Sequence, residues 1–84
     1  MNEFELHVKF QQPIDGADYD HFIDALIDFV ESRGMMIGGM GGQLPLIETT
    51  GMVLVDKGYP SDEYLKILIE WLLARNEVEN AVIE

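Results

Sequence analysis

The feature that most constrains the fold of this chain is a change in the spacing of its apolar residues. Over residues 4–10 apolar and polar side chains alternate, and this period of two predicts a β-strand with one buried face. Pro13 is expected to end the strand, because proline cannot donate a hydrogen bond to a neighbouring strand. Over residues 19–33 apolar side chains recur every three or four positions, which predicts an amphipathic helix with Asp18 as its N-cap and Gly34 as its stop.

The second half of the chain repeats this order of strand and helix. Apolar residues 35–37 and the extended segment 44–55 predict two strands, and the glycine-rich segment between them is expected to form a mobile hairpin connection. Ser61 is the expected N-cap of a second helix that runs to about Arg75, and residues 78–83 predict a last strand. The order β-α-β-β-α-β predicts an α+β fold, a ferredoxin-like sandwich whose antiparallel sheet carries both helices on one face.

Length and composition favour a single domain that spans residues 1–84 and is stabilised by packing alone. The chain is long enough for one hydrophobic core and contains no cysteine, which excludes disulfides and thiolate–metal sites. Apolar residues make up 48% of the sequence, so a disordered chain is not expected despite its charge.

The sequence is strongly acidic, with 16 Asp and Glu residues against 5 Lys and Arg residues and a formal net charge of −11. Such a field repels phosphate backbones and anionic lipids, so direct DNA binding and membrane binding are not expected, whereas a basic protein surface would be attracted. The alternative is that the charge only keeps a small protein soluble and monomeric. The N-terminus shows no signal-peptide pattern and no apolar run approaches the ~18 residues of a membrane helix, so the expected location is the cytoplasm.

Part of this acidity forms a stripe along the first predicted helix, opposite its apolar face. Calcium-binding loops wrap their ligands around a tight turn, and the helical spacing here does not, so we expect no metal site. Like charges one turn apart destabilise a helix by about 0.2–0.5 kcal/mol per pair, so mixed charges would give solubility at less cost. We therefore hypothesise that the stripe contacts a partner, with a merely solvated helix face as the alternative. The acidic stripe consists of Asp20, Asp24, Asp28 and Glu31.

The glycine-rich segment invites comparison with phosphate-binding loops. Those loops place glycines at fixed spacings before a helix whose N-terminus meets the anion, and here Pro45 and an extended segment follow instead. We therefore expect no nucleotide site, and we expect the segment to become ordered on contact with a partner. Gly51, farther along the chain, is expected to mark a bulge or a break in its strand. The glycine segment consists of Gly38, Gly39, Gly41 and Gly42.

The remaining candidate residues do not form a recognisable catalytic set. His7 and His21 have no carboxylate or cysteine at a fixed ligand spacing, and catalysis needs a nucleophile beside an oriented base. The sequence therefore predicts no enzyme, no cofactor and no metal. The second helix is more apolar than one sheet-facing stripe requires, and core packing explains most of this surplus. For an exposed remainder that includes Trp71 we predict contact with a partner, and a weak homodimer stays open.

Several stretches of the chain together suggest a family. They are the first strand (residues 4–10), the first helix with its stop (20–34), the glycine-rich hairpin (36–42), and Glu70-Trp71-Leu72 followed by Val78. In these stretches the chain resembles the YggL-type proteins, which bind the large (50S) ribosomal subunit in bacteria. Members of that family can carry a basic N-terminal extension, whereas this sequence begins directly at the first strand. We therefore expect contact with basic ribosomal proteins rather than with ribosomal RNA.

The leading hypothesis is a non-enzymatic bacterial accessory protein that contacts the large ribosomal subunit through the acidic stripe and the glycine segment. An alternative is an acidic inhibitor or nucleic-acid mimic that blocks a basic groove on a partner protein; neutralising the stripe should then abolish binding and leave the fold intact. A third hypothesis is a small-ligand or metal-binding enzyme of ferredoxin-like shape, which thermal shifts with nucleotides and divalent metals would reveal.

Overall fold

The computed structural model describes residues 2–42 and 45–84, which form strands and helices in the predicted order β-α-β-β-α-β. The elements are β1 (Asn2–Ile14), α1 (Gly16–Ser32), β2 (Met35–Gly41), β3 (Leu46–Val55), α2 (Ser61–Leu73) and β4 (Val78–Ile83). Neither of the helices in this described part is long and apolar enough to cross a membrane.

The strands form a four-stranded sheet in the order β2-β3-β1-β4, and every neighbouring pair is antiparallel. β1 and β3 occupy the centre of the sheet, and β2 and β4 form its edges. Each helix joins two strands that are separated by one other strand, which is the split β-α-β arrangement. The predicted α+β, ferredoxin-like fold is therefore confirmed.

The core lies between the sheet and the two helices. On β1, Leu6, Val8 and Phe10 are buried, and the residues between them are exposed or half-buried, as the alternation predicts. The ring of Phe10 meets the ring of Phe22 in α1 edge-on, with 5.0 Å between centroids, and so ties the sheet to that helix. The fully buried helix residues that complete this core are Phe22, Leu26 and Val30 of α1 and Leu68 and Leu72 of α2.

Both helices begin earlier than predicted: α1 starts at Gly16, before its expected N-cap Asp18, and α2 starts at its expected N-cap, Ser61. The N-cap of α1 is Asp15 rather than Asp18, because Asp15 has an extended backbone with φ −153° and its carbonyl accepts the first helical hydrogen bond, from the Tyr19 N–H at 3.3 Å. The N-cap of α2 is Pro60 rather than Ser61. Neither N-cap makes a side-chain hydrogen bond to its helix, so the usual side-chain signal of a helix start is missing from both.

β1 continues past Pro13 to Ile14, so the prediction that Pro13 ends the strand is wrong. The pairing of β1 with β3 shifts register between Lys9 and Ile14. Such an irregularity accommodates a proline, because its missing N–H falls where the ladder of hydrogen bonds is already interrupted.

β2 and β3 form the predicted antiparallel hairpin, but β2 contains most of the glycine segment, so the prediction that residues 38–41 belong to the connection is wrong. The buried hydroxyl of Thr49 in β3 accepts a hydrogen bond from the Gly41 N–H at 3.1 Å and donates one to the Gly41 carbonyl at 2.8 Å. This pair of bonds holds the end of β2 against β3. The connection that remains is residues 42–45, and residues 43 and 44 within it lie outside the described residues.

Gly51 lies opposite an irregularity in the sheet, in agreement with the prediction that it marks a bulge. It pairs in register with Leu6 on one side, but on the other side the pairing of β2 with β3 shifts register between Gly38 and Gly41, across from Gly51. A Cβ atom at this buried position would overlap with the side chain of Met40 and would lie 3.0 Å from the Gly38 carbonyl oxygen. Because Gly51 has no side chain, the side chain of Met40 can pack directly against the backbone of β3 at this position.

Candidate partner-binding surface

The acidic stripe lies along the solvent side of α1. Asp20, Asp24, Asp28 and Glu31 are all exposed, and the buried residues of the same helix lie on its other side. A rise of ~1.5 Å per residue gives the stripe a length of about 16 Å from its first to its last carboxylate. The stripe is therefore a continuous anionic surface of about three helical turns.

The charge of the stripe is not compensated within the described residues. The ion pairs among residues 2–42 and 45–84 join His7 to Glu5 and Glu84, Lys9 to Glu79, and Arg75 to Glu77, and none involves the stripe. The last turn of α1 contains Glu31 and no basic residue, so this carboxylate faces the negative end of the helix dipole. Repulsion along the stripe and at the helix end therefore both oppose the folded helix.

Arg33 is the cation that directly follows α1, and its guanidinium lies 5.2 Å from the centroid of the Phe29 ring. That distance is typical of a cation–π contact, which directs the charge of Arg33 onto the aromatic ring and not onto the stripe.

The glycine segment lies at the sheet edge next to the same helix. α1 packs against β2, so the helix that carries the stripe and the strand that contains most of the segment are neighbours. Gly38, Gly39 and Gly42 are exposed, and Gly41 is half-buried. Gly39 has φ +71°, a left-handed conformation that favours glycine over other residues. The stripe is thus a helix face and the glycine segment a strand edge, on two neighbouring elements.

Trp71 lies in the contact between the two helices. Its indole ring stacks on the phenyl ring of Phe29, and the guanidinium of Arg75 lies 4.9 Å from the indole centroid. Trp71 is half-buried and packs against the core. Its role as a partner contact stays a prediction, and its packing in the structure agrees with the core-packing explanation of this apolar helix.

A cluster of His7, Glu5 and Glu84 lies on the sheet face away from the helices and was missed by sequence reasoning. His7 Nε2 lies 2.7 Å from a Glu5 oxygen and 3.7 Å from a Glu84 oxygen, and Nδ1 lies 3.3 Å from the Thr50 hydroxyl. One nitrogen and two carboxylate donors are ligands that divalent cations accept. The spacing of Glu5 and His7 could have predicted that these two residues share one face of a strand. Glu84 reaches them only through the pairing of β1 with β4.

A cleft of about 540 Å³ lies where the start of α1 meets the residues after α2. Asp18 and His21 line one side of it, and Arg75, which is paired with Glu77, lines the other. The carboxylate, imidazole and guanidinium groups that line this cleft offer charge and hydrogen bonds to a bound molecule.

The fold and this surface describe a small, acidic, ferredoxin-like α+β domain. A protein-family model described as YggL 50S ribosome-binding protein matches residues 2–84, and the chain therefore belongs to this family. The match confirms the resemblance seen in the sequence, and the family is one of ribosome-binding proteins rather than a known enzyme family. No curated protein and no solved structure matches the chain.

Proposed function

We propose that this protein is a non-enzymatic accessory protein that binds the large ribosomal subunit through protein–protein contact. The 50S subunit as the binding partner follows from the family. The observation that supports a protein contact is the acidic stripe, whose four carboxylates have no ion-pair partner among the described residues. A basic surface of a ribosomal protein is the complement of such a stripe.

Contact with ribosomal RNA would work against the charge of this chain. Its formal net charge is −11, and proteins that bind nucleic acid obtain their affinity largely by placing Lys and Arg against phosphates. No Lys or Arg among the described residues forms an ion pair with the stripe: Lys9 and Arg75 pair with glutamates outside it, and Arg33 lies over Phe29. Basic ribosomal proteins are therefore the part of the 50S particle that this surface fits.

The glycine segment provides the second part of the proposed contact. β2 is an edge strand, so its outer backbone groups are open to a partner, and exposed glycines allow close approach. In this proposal the stripe supplies the electrostatic attraction and the strand edge supplies backbone hydrogen bonds. In this proposal the protein meets its 50S partner in the cytoplasm.

Charge-matched variants test this proposal. The variant D20N/D24N/D28N removes three stripe carboxylates, and D62N/E63Q/E70Q removes three exposed carboxylates from α2. Co-sedimentation with purified 50S subunits at low salt should be lost for the first variant and retained for the second. Equal loss of co-sedimentation by the two variants would mean that total charge, and not the stripe, governs binding. Full binding by both would mean that the stripe is not needed.

An acidic inhibitor of a basic groove is the second candidate function, and the uncompensated stripe supports it as well. In that case the wild-type chain would not sediment with 50S subunits, and the stripe variant would lose binding to a different basic protein. A weak homodimer through a sheet edge or α2 stays a prediction, which sedimentation equilibrium would test.

A further inference from the structure

The sheet face opposite the helices carries large apolar side chains that contact solvent. On β3, Met52 and Leu54 alternate with buried valines, so their side chains point away from the helices. Met36 of β2 pairs with Leu54 and therefore shares this face. Met36 is 51% exposed, Met52 is 38% exposed, and Leu54 is half-buried beside them. We call Met36, Met52 and Leu54 the methionine patch.

Carboxylates border the methionine patch on the β1 side. Glu3 pairs with Leu54 and Glu5 pairs with Met52, so both carboxylates lie directly beside the patch. Glu84 lies across β1 from the patch, and its backbone exchanges two hydrogen bonds with that of Glu5, at 2.9 and 3.1 Å. We call Glu3, Glu5 and Glu84 the acidic rim.

The rim keeps a net negative charge within the described residues. His7 lies close to two of its carboxylates, so one imidazolium at most faces three carboxylates. Lys9 is on the same face of β1, but its amino group lies 3.7 Å from Glu79, outside the rim. The face therefore combines an apolar centre with an anionic border, which is the composition of a protein-binding surface.

We propose that the methionine patch with its acidic rim is a second contact surface, which binds a basic protein segment that carries an apolar side chain. The apolar side chain covers the methionines, and Lys or Arg residues of the same segment pair with the rim. This inference rests on the proposed function, since the segment would belong to a protein of the large ribosomal subunit. Methionine side chains suit such a contact because their flexible, polarisable chains adapt to the shape of a partner.

Charge complementarity favours a basic protein segment over a second copy of the chain or a nucleic acid as the molecule that binds this face. A second copy of the chain in a two-fold symmetric contact would bring two acidic rims together, and like charges would oppose that dimer. Nucleic acid would place phosphates against the same carboxylates. A basic protein segment is the occupant that satisfies both the apolar centre and the anionic border.

The position of β2 connects this surface to the one already described. Met36 belongs to the edge strand against which α1 packs, and Gly38 pairs with Met52 without a side chain of its own. The methionine patch therefore reaches the same sheet edge as the glycine segment. A partner that binds along β2 can contact both.

The matched variants M36S/M52S and I67S/L73S test the inference. Ile67 and Leu73 of α2 are 38% and 50% exposed, so the two variants remove similar exposed apolar area from different surfaces. The dissociation constant for purified 50S subunits should rise at least tenfold for M36S/M52S and change less than twofold for I67S/L73S. Unchanged circular dichroism and thermal unfolding of both variants would show that the fold is retained.

The outcomes separate this inference from the function on which it rests. If M36S/M52S binds 50S subunits like wild type while the stripe variant does not, the second surface is overturned and the proposed function stands. If both serine variants lose affinity equally, the effect is not specific to the patch and the inference is overturned. If the wild-type chain does not bind 50S subunits, the proposed function fails and this inference fails with it.

Protection from oxidation gives an independent measurement on the unmodified chain. Exposed methionines react with hydrogen peroxide, and mass spectrometry of the bound chain reports each sulfoxide separately. Met36 and Met52 should be oxidised several-fold more slowly in the 50S complex than in the free chain. Equal oxidation rates in the free and bound states would contradict the proposed contact.

Discussion

The indole ring of Trp71 in α2 stacks on the phenyl ring of Phe29 in α1, with 4.8 Å between ring centroids and 20° between ring planes. This contact joins the two helices beside the core that both share. Arg75 and Arg33 extend the stack, since each guanidinium lies over one of the two rings. The aromatic pair therefore fixes α1, the helix that carries the acidic stripe, against α2.

Replacing Trp71 with Ala should lower the free energy of unfolding by about 2–3 kcal/mol, because a half-buried ring loses less than the about 3–5 kcal/mol of a fully buried one. Urea unfolding would measure the loss. A double-mutant cycle with F29A should give a coupling energy of about 0.5–1.5 kcal/mol. A coupling energy of zero would show that the stacking does not stabilise the helix contact.

Neutralising the middle of the acidic stripe should stabilise the fold while weakening partner binding. D24N relieves two like-charge pairs, with Asp20 and with Asp28, and each is worth about 0.2–0.5 kcal/mol. The free energy of unfolding should therefore rise at low salt, and the gain should shrink at high ionic strength because salt screens exposed charges. The α2 variant E70Q serves as the control. A loss of stability in D24N at low salt would contradict the repulsion.

Replacing Gly51 with Ala should destabilise the protein by about 1–3 kcal/mol, because the added Cβ overlaps with the Met40 side chain. In the M40A background, where the overlap is removed, G51A should cost less free energy of unfolding than it does in the wild-type chain. The Gly38 carbonyl oxygen stays close to the new Cβ, so part of the cost should remain. Urea unfolding of all three variants measures these terms, and a neutral G51A would show that the space is not needed.

The Thr49 hydroxyl should hold the end of β2 in place. T49V removes both of its hydrogen bonds to Gly41 and should cost about 1–3 kcal/mol, because buried polar groups lose their partner. T50V, one residue along and on the exposed side of β3, is the matched control. Hydrogen exchange at the Gly41 amide should accelerate in T49V and not in T50V. An unchanged exchange rate in T49V would contradict this role for the hydroxyl.

The order of strands and helices could be predicted because each element shows a clear hydrophobic period. The ends of the elements could not, since Asp15 and Asp18 are equally good capping residues by type and the chain uses the earlier one. The glycine segment was misjudged because glycine signals conformational freedom. What overrides that freedom is a side-chain bond from Thr49, which lies in the next strand.

The acidic stripe was predictable because its members are spaced within one helix. The methionine patch and the acidic rim were not, because they depend on how four strands are aligned with one another. Glu84 meets Glu5 only through sheet pairing at opposite ends of the chain. Surfaces within one element can therefore be predicted from local spacing, and surfaces across a sheet require the register.

Sedimentation of the wild-type chain with purified ribosomal subunits tests whether the protein binds the 50S subunit. At low salt the chain should pellet with 50S subunits and remain in the supernatant with 30S subunits. Raising the salt concentration should release it, because the proposed contact between the stripe and a basic protein surface is electrostatic. A chain that stays in the supernatant with 50S subunits, or pellets equally with both subunits, would contradict the account.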